Sequence, residues 1–231
     1  DGALYTSDMV TMIYCSIKGD SDYFRVPETV KIICKHTFFL CDRFKTIELP
    51  SSLEKMENNP FSGCSKLSII NNSSSYFIKD DVIYNGFKTA VVGTLNKINS
   101  DSLEILEGVK TINRNSFWNC KGIKKIIFPS SLVDIGYNPF VGCSNIHFES
   151  KTPYFKVIDD VLYNKDCSKI ICYPAWKAKG NVNIPDTVIT LERGAFSGCD
   201  QMESINLHNV NIINKSCFTN CNSLKTLYCS D

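Results

Sequence analysis

Cysteine and histidine are the side chains of this sequence whose types could do chemistry. The chain has 12 cysteines and three histidines, His36, His147 and His208. A thiol beside an imidazole is a nucleophile, and clusters of the two hold zinc. Neither Cys-x-x-Cys nor His-Glu-x-x-His occurs, and the histidines do not share a position in any repeat. The spacing therefore predicts no metal site and no cysteine nucleophile.

Paired carboxylates are a second arrangement with chemical potential, since two of them cleave glycosidic bonds in many hydrolases. The pairs Asp80-Asp81 and Asp159-Asp160 lie 79 residues apart, each before the same Val-x-Tyr-Asn phrase. Because they recur as part of a repeat, we interpret them as turn residues. The Gly-x-Ser-x-Gly, P-loop and Gly-x-Gly-x-x-Gly motifs are absent. We therefore expect no enzymatic activity and no cofactor.

The elements that position half of the cysteines are repeats built on the phrase Phe-x-x-Cys. Its phenylalanines are separated by 23, 56, 23, 56 and 22 residues. The phrase occupies 38–41, 61–64, 117–120, 140–143, 196–199 and 218–221. Such self-similarity is typical of stacked repeats, which bury apolar side chains between neighbouring turns. We interpret the six cysteines as buried, reduced thiols and leave open a bridge between Cys167 and Cys172 in an oxidising compartment.

A period of 79 residues contains the shorter steps. Asp80–Asn85 returns as Asp159–Asn164, and a weaker copy opens the chain. We predict a single domain, 1–231, made of three modules at 1–79, 80–158 and 159–231, each a β-hairpin followed by two short repeats. The predicted hairpins pair Ile78–Asn85 with Thr89–Gly93 and Val157–Asn164 with Lys169–Tyr173. Stretches such as Ile-x-Leu-Pro alternate with period 2 and indicate short strands with one buried face.

Composition excludes several classes of function. The 231 residues are 43% hydrophobic, enough for a core, and the net charge of +1 argues against a nucleic-acid or anionic-membrane surface. No apolar run approaches the roughly 20 residues of a membrane span. The sequence has no signal peptide and begins without Met, at the same phase as Asp80, so we interpret it as a processed or trimmed piece.

The phrase Ile-x-Leu-Pro-Ser-Ser-Leu…Phe-x-Gly-Cys resembles the BspA-like leucine-rich repeat family, also known as the Treponema-pallidum type. Residues 44–64, 123–143 and 184–199 carry the resemblance most clearly. It implies a β-rich, right-handed leucine-rich repeat solenoid, curved and elongated, of short strands joined by turns or 3-10 corners, with β-hairpin inserts. Such proteins are typically on the surface of, or secreted by, bacteria and some protists.

The resemblance also implies a function in adhesion, with a protein partner in host matrix, on host cells or on other microbes. The family has no fixed binding motif, so no binding residue follows from it. The alternative is a cytoplasmic scaffold for cytosolic proteins, which many unpaired thiols favour on redox grounds.

Two columns of outward side chains on the strand ladder are the predicted binding surface. Alternation assigns Thr46, Lys125, Ser204 and Thr226 to one column, and Glu48, Ile127, Asn206 and Tyr228 to the next. Ile127 and Tyr228 stand out because apolar side chains facing water suggest contact. Equally, single exposed hydrophobic residues are common on any surface.

Two further sets of residues are candidates. Phe39 and Trp118 follow repeat phenylalanines one module apart, so they mark exposed corners that could bind a partner or pack under the adjacent hairpins. Asn71, Asn72 and Asn214 begin Asn-x-Ser triplets and are candidate N-glycosylation sites.

Overall fold

Short strands joined by tight turns make up the computed structural model, which describes residues 2–16, 20–137 and 139–229. No helix occurs among these residues. Residues 3–71 contain β1 (Ala3–Tyr5), β2 (Thr11–Cys15), β3 (Tyr23–Arg25), β4 (Ile32–Ile33), β5 (Thr46–Leu49), β6 (Lys55–Met56) and β7 (Ser68–Asn71). Residues 76–150 contain β8 (Tyr76–Lys79), β9 (Val82–Asn85), β10 (Ala90–Thr94), β11 (Leu103–Glu104), β12 (Thr111–Ile112), β13 (Lys125–Phe128), β14 (Asp134–Ile135) and β15 (His147–Ser150). Residues 155–228 contain β16 (Phe155–Ile158), β17 (Val161–Asn164), β18 (Lys169–Cys172), β19 (Gly180–Asn183), β20 (Thr190–Leu191), β21 (Met202–Asn206), β22 (Ile212–Ile213) and β23 (Thr226–Tyr228).

The strands form two series of sheets, one on each face of a leucine-rich repeat solenoid. One face carries three parallel ladders of three strands each, in the orders β3-β5-β7, β11-β13-β15 and β19-β21-β23. The other carries the sheets β1-β2-β4-β6, β8-β9-β10-β12-β14 and β16-β17-β18-β20-β22. The predicted fold class is confirmed. The ends of the predicted domain, Asp1 and Asp231, lie outside the described residues.

The Phe-x-x-Cys corners hold the stack together, and the sequence explains why. Phe38, the first such phenylalanine, has no exposed surface and stacks on the Phe61 ring at a centroid distance of 5.2 Å. The Cys64 thiol donates to the carbonyl oxygen of Phe38 at 2.9 Å, and the Cys143 thiol repeats this bond to Phe117 at 3.0 Å. Each thiol thus pairs with a backbone carbonyl of the preceding corner, which satisfies a buried polar group.

The predicted two-stranded hairpins are wrong in one respect. The stretch Ile78–Asn85 is not one strand, because Asp80 and Asp81 turn the chain with φ angles of 50° and 60°. The result is a three-stranded meander, β8-β9-β10, and Asp159 and Asp160 form the same turn between β16 and β17. Two successive residues at positive φ make the two-residue turn that joins tightly twisted strands, and aspartate tolerates this conformation. The predicted module limits at 79/80 and 158/159 fall inside these meanders.

The ladder face is divided at each meander. Among the described strands, β7 does not pair with β11, and β15 does not pair with β19. At the first division, the Lys97 ammonium contacts the Asp81 carboxylate at 3.2 Å and donates to the Ser68 hydroxyl at 3.0 Å.

Seventy-nine residues further along, at the second division, different side chains perform the same task. His147 Nδ1 lies 2.9 Å from the Asp160 carboxylate, and the Trp176 ring packs on the imidazole at 4.6 Å. The Trp176 indole N–H donates to the carbonyl of Ile146 at 2.8 Å. Each division is therefore bridged by one cluster of side chains.

Candidate protein-binding surface

The first ladder presents a polar network beside an exposed isoleucine. Tyr23 and Arg25 on β3 stand opposite Thr46 and Glu48 on β5, and Ile70 on β7 follows Glu48 across the ladder. The Tyr23 hydroxyl donates to the Glu48 carboxylate, and Arg25 Nε lies 3.7 Å from it. The hydrogen bond from Tyr23 is the main reason that the pKa of Glu48 is lowered. Thr46 is half-buried, whereas 48% of Ile70 is exposed.

The second ladder places an apolar side chain between two acidic ones. Ile127 is half-buried and stands opposite Glu104 on one side and Glu149 on the other. Lys125 Nζ contacts the Glu149 carboxylate at 3.1 Å, and Lys151 forms an ion pair with Glu104. A ring of charged pairs around an apolar centre is the usual layout of a protein-binding hot spot.

The third ladder corrects one predicted binding residue. Ser204 is buried, because it lies between Asn181 and Thr226 in the ladder and donates to Asn181 Oδ1 at 2.5 Å. Its small side chain is covered by its longer neighbours, so it offers no contact surface. Thr226 and Asn206 are half-buried, and 56% of Tyr228 is exposed.

The corner aromatics contact each other. The Phe39 and Trp118 rings lie 5.2 Å apart across the intervening corner, and His36 packs on Phe39 at the same distance. Gly63 makes room for them, since a Cβ there would lie 2.5 Å from Leu40 Cδ2 and 3.4 Å from the Trp118 ring. Burial, more than the nearby cations, lowers the pKa of His36. Both predicted aromatics are half-buried, so mutual packing accounts for them.

The predicted glycosylation sites differ in availability. Asn71 Nδ2 donates to the carbonyls of Ser73 and Tyr76 at 3.0 and 2.9 Å, so the amide that would carry a glycan is a structural donor. Asn71 is therefore a poor acceptor. Asn72 is exposed and its amide donates to Glu48 at 3.0 Å, and Asn214 is half-buried with its amide 3.5 Å from Glu192.

The cysteines form no chemical centre in the structure. All 12 lie in the described part of the chain and carry free thiols, including Cys167 and Cys172. Burial raises the pKa of Cys64 and of Cys120 to about 12, so these thiols stay protonated near neutral pH and are poor nucleophiles. Residues 2–16, 20–137 and 139–229 contain no group of three or more metal-ligating side chains, and no helix among them could cross a membrane.

Sequence reasoning missed the ladder residues Tyr23, Arg25 and Ile70. Their strands lack the Ile-x-Leu signature, since β3 reads Tyr-Phe-Arg and β7 reads Ser-Ile-Ile-Asn. A signal was present, because both strands lie about 23 residues from β5 in the sequence. Extending the alternation of β5 by that step would have placed them on the same face.

These features define a repeat protein of the solenoid class that presents surfaces rather than a cleft. The chain belongs to the BspA-type leucine-rich repeat family, whose description, BspA type Leucine rich repeat region, matches residues 14–91, 93–174 and 175–231 in six copies. The family resemblance stated from the sequence is confirmed. No curated protein matches the sequence.

Three crystal structures of bacterial proteins are similar in fold, each with a TM-score of 0.56. A leucine rich cell surface protein from Faecalibacterium prausnitzii is 23% identical, and the alignment covers 91% of this chain and 60% of that one. A leucine-rich repeat protein from Eubacterium ventriosum is 19% identical, with 96% and 68% covered. The pneumococcal vaccine antigen PcpA is 15% identical, with 92% and 58% covered. The chain thus spans about three fifths of the first and third of these proteins.

Proposed function

We propose that this protein is a non-enzymatic surface or secreted adhesin that binds a partner protein through its ladder face. The observation that carries the proposal is the second outward column. It contains one accessible apolar side chain in each ladder, Ile70, Ile127 and Tyr228. Polar or charged side chains flank each of them. Apolar anchors within polar rims are the pattern of protein interfaces.

The comparisons support this proposal at the level of class. Membership in the BspA-type family points to protein binding, and one structure of the same fold is described as a cell surface protein. The partner we propose is a host matrix protein, a host-cell protein or a protein on another microbe. Because the chain covers only part of these relatives, the activity of the whole protein is part of the proposal as well.

The test is a triple substitution on the ladder face, Ile70→Asp, Ile127→Asp and Tyr228→Asp. Binding to intact host cells and to immobilised fibronectin, laminin and collagen is measured beside the unchanged chain. The matched control carries Tyr154→Asp, Ile158→Asp and Ile189→Asp, residues that are 44–48% exposed and lie off the ladders.

We expect the ladder variant to lose at least tenfold in affinity, since each anchor of this kind contributes on the order of 1–2 kcal/mol. The control should bind as before. Equal binding by a folded ladder variant, or equal loss in the control, would reject the face assignment.

A cytosolic scaffold is the second candidate, and the free thiols favour it because the cytosol keeps thiols reduced. Antibody staining of intact, unpermeabilised cells of the source organism separates the two. Surface signal supports the adhesin, and signal only after permeabilisation supports the scaffold.

A further inference from the structure

A phenylalanine in the turn between β9 and β10 faces solvent with 89% of its surface exposed, Phe87. The positions one module before and after it hold Asp8 and Asp166. Those carboxylates accept backbone N–H bonds, from Val10 at 3.0 Å and from Ser168 at 3.1 Å. In the second module an exposed aromatic ring therefore replaces a turn-stabilising acid. The substitution does nothing for the turn, so its benefit must come from contact with something else.

The turn holds Phe87 in a fixed position even without the acid. Asn85 Oδ1 accepts the backbone N–H groups of Thr89 and Ala90 at 2.8 and 3.0 Å. Gly86 packs so closely that a Cβ there would lie 2.4 Å from the Ser74 carbonyl oxygen. A rigidly presented aromatic loses little conformational entropy when it is covered by a partner.

Phe87 stands at the rim of an open groove of about 660 Å³ between β6 and β10. Met56, Tyr76, Ala90 and Val92 contribute apolar surface to this groove, and Asn113 lies along it. We name it the meander groove.

The meander groove is open because charged residues are missing from it. The residues of the third module that correspond to Ala90 and Asn113 are Lys169 and Glu192, which form an ion pair at 2.7 Å. That pair spans the position at which the groove lies. Three residues in one place, Phe87, Ala90 and Asn113, therefore differ from the third module in the same direction, from charged to uncharged.

The charges around the groove indicate what it accepts. The one acid that lines it, Glu54, is neutralised by Lys31 at 2.9 Å. Two cations lie beside Phe87, because Lys88 follows it in the chain and the Lys110 backbone N–H donates to the Thr89 carbonyl at 2.7 Å. Lys88 extends over the Phe77 ring at 4.1 Å, and Lys110 is exposed.

We propose that the meander groove, with Phe87 as its anchor, binds a segment of a partner protein in which a large apolar side chain is flanked by aspartate or glutamate. The apolar side chain enters the groove beside Phe87, and the acidic neighbours meet Lys88 and Lys110. Burial of the Phe87 ring supplies the main attraction. The opposite charges set the preference for acidic segments. This surface is separate from the ladder face, so either assignment can fail alone.

The test uses a random dodecapeptide display library selected on the whole chain. Two variants serve for counter-selection. Phe87→Asp restores the acid of the neighbouring modules, and the double variant Ala90→Lys with Asn113→Glu installs the ion pair of the third module across the groove. Both copy residues that the same fold already carries, so both should keep the thermal midpoint of the unchanged chain, and Phe87→Asp should match or exceed it. The triple ladder variant and Asp166→Phe are the controls.

The expected result is a set of peptides with an aromatic or large aliphatic residue beside Asp or Glu. Their affinity should fall at least tenfold in both groove variants and stay unchanged in the ladder variant and in Asp166→Phe. Failure to enrich peptides that depend on Phe87, or a consensus rich in Lys or Arg, would overturn the proposal. So would a concentration-dependent dimer in analytical ultracentrifugation that Phe87→Asp abolishes, because the groove would then accept a second copy.

Discussion

Buried thiols predict that this protein loses stability in alkaline solution, and Cys120 allows the effect to be measured. Its side chain has no exposed surface, its sulfur lies 2.9 Å from the Thr94 hydroxyl, and burial raises its pKa to about 12. An unfolded cysteine has a pKa of about 8.5. Above that pH the folded chain binds more protons than the unfolded chain, so unfolding releases a proton and its free energy falls as pH rises. The contribution is fully present below about pH 8.5 and is lost progressively up to about pH 12.

The magnitude follows from the linkage between protons and stability. One thiol that stays protonated only in the folded state removes about 1.4 kcal/mol of unfolding free energy per pH unit. Cys120→Ser keeps a partner for Thr94 but has no group that titrates in this range. We therefore expect its unfolding free energy, measured by urea denaturation from pH 8.5 to 10.5 with reductant present, to fall less steeply than that of the unchanged chain by about 1.4 kcal/mol per pH unit.

The control is Cys229→Ser, which removes an exposed thiol and should leave the slope of the unchanged chain. Serine costs stability at every pH, so the slope rather than the absolute value decides. Parallel curves for Cys120→Ser and the unchanged chain would refute the claim that burial holds this thiol protonated.

Three further predictions concern the stack and its divisions. Phe117→Ala should cost about 3–5 kcal/mol of unfolding free energy by urea denaturation, because the ring is fully buried and stacked; a loss below about 1 kcal/mol would contradict this packing. Gly63→Ala should lower the thermal midpoint more than Gly108→Ala, since both glycines have positive φ but only at Gly63 does a Cβ meet a neighbour; equal shifts would exclude the clash. Trp176→Ala should speed amide hydrogen exchange in β15 and β16, where the ring and its indole N–H bridge the second division, and leave β3 unchanged; exchange that rises everywhere would indicate global destabilisation instead.

The repeat phrase predicted the corners because one physical requirement, a buried phenylalanine above a small hydrogen-bonding side chain, recurs in each copy. Phe38, Phe61 and Phe117 are fully buried, as the stack requires. Departures from the repeat were harder to predict. Asp80 and Asp81 were recognised as turn residues, but their two positive φ angles split a predicted strand. Ser204 alternates correctly and is nevertheless buried, because exposure depends on the length of its ladder neighbours.

The candidate sites show the same limit. Alternation placed Ile127 and Tyr228 on the outward face, but it carried no information about which side chains surround them. Phe87 was missed because the interpretation drew on what the modules share, whereas this residue is notable for how its module differs. A position-by-position comparison at the 79-residue period would have found it from the sequence.

The division of the ladder face into three panels has a consequence for valency. Each panel is a separate three-stranded sheet with its own apolar side chain, and a meander separates it from the next. A filamentous or polymeric ligand that repeats its epitope at the panel spacing would be held at several points at once. Avidity would then let weak contacts add up to durable attachment, since each later contact forms within an existing complex. Gain or loss of a whole module by gene duplication or deletion would change the number of attachment points while leaving the chemistry of each point the same.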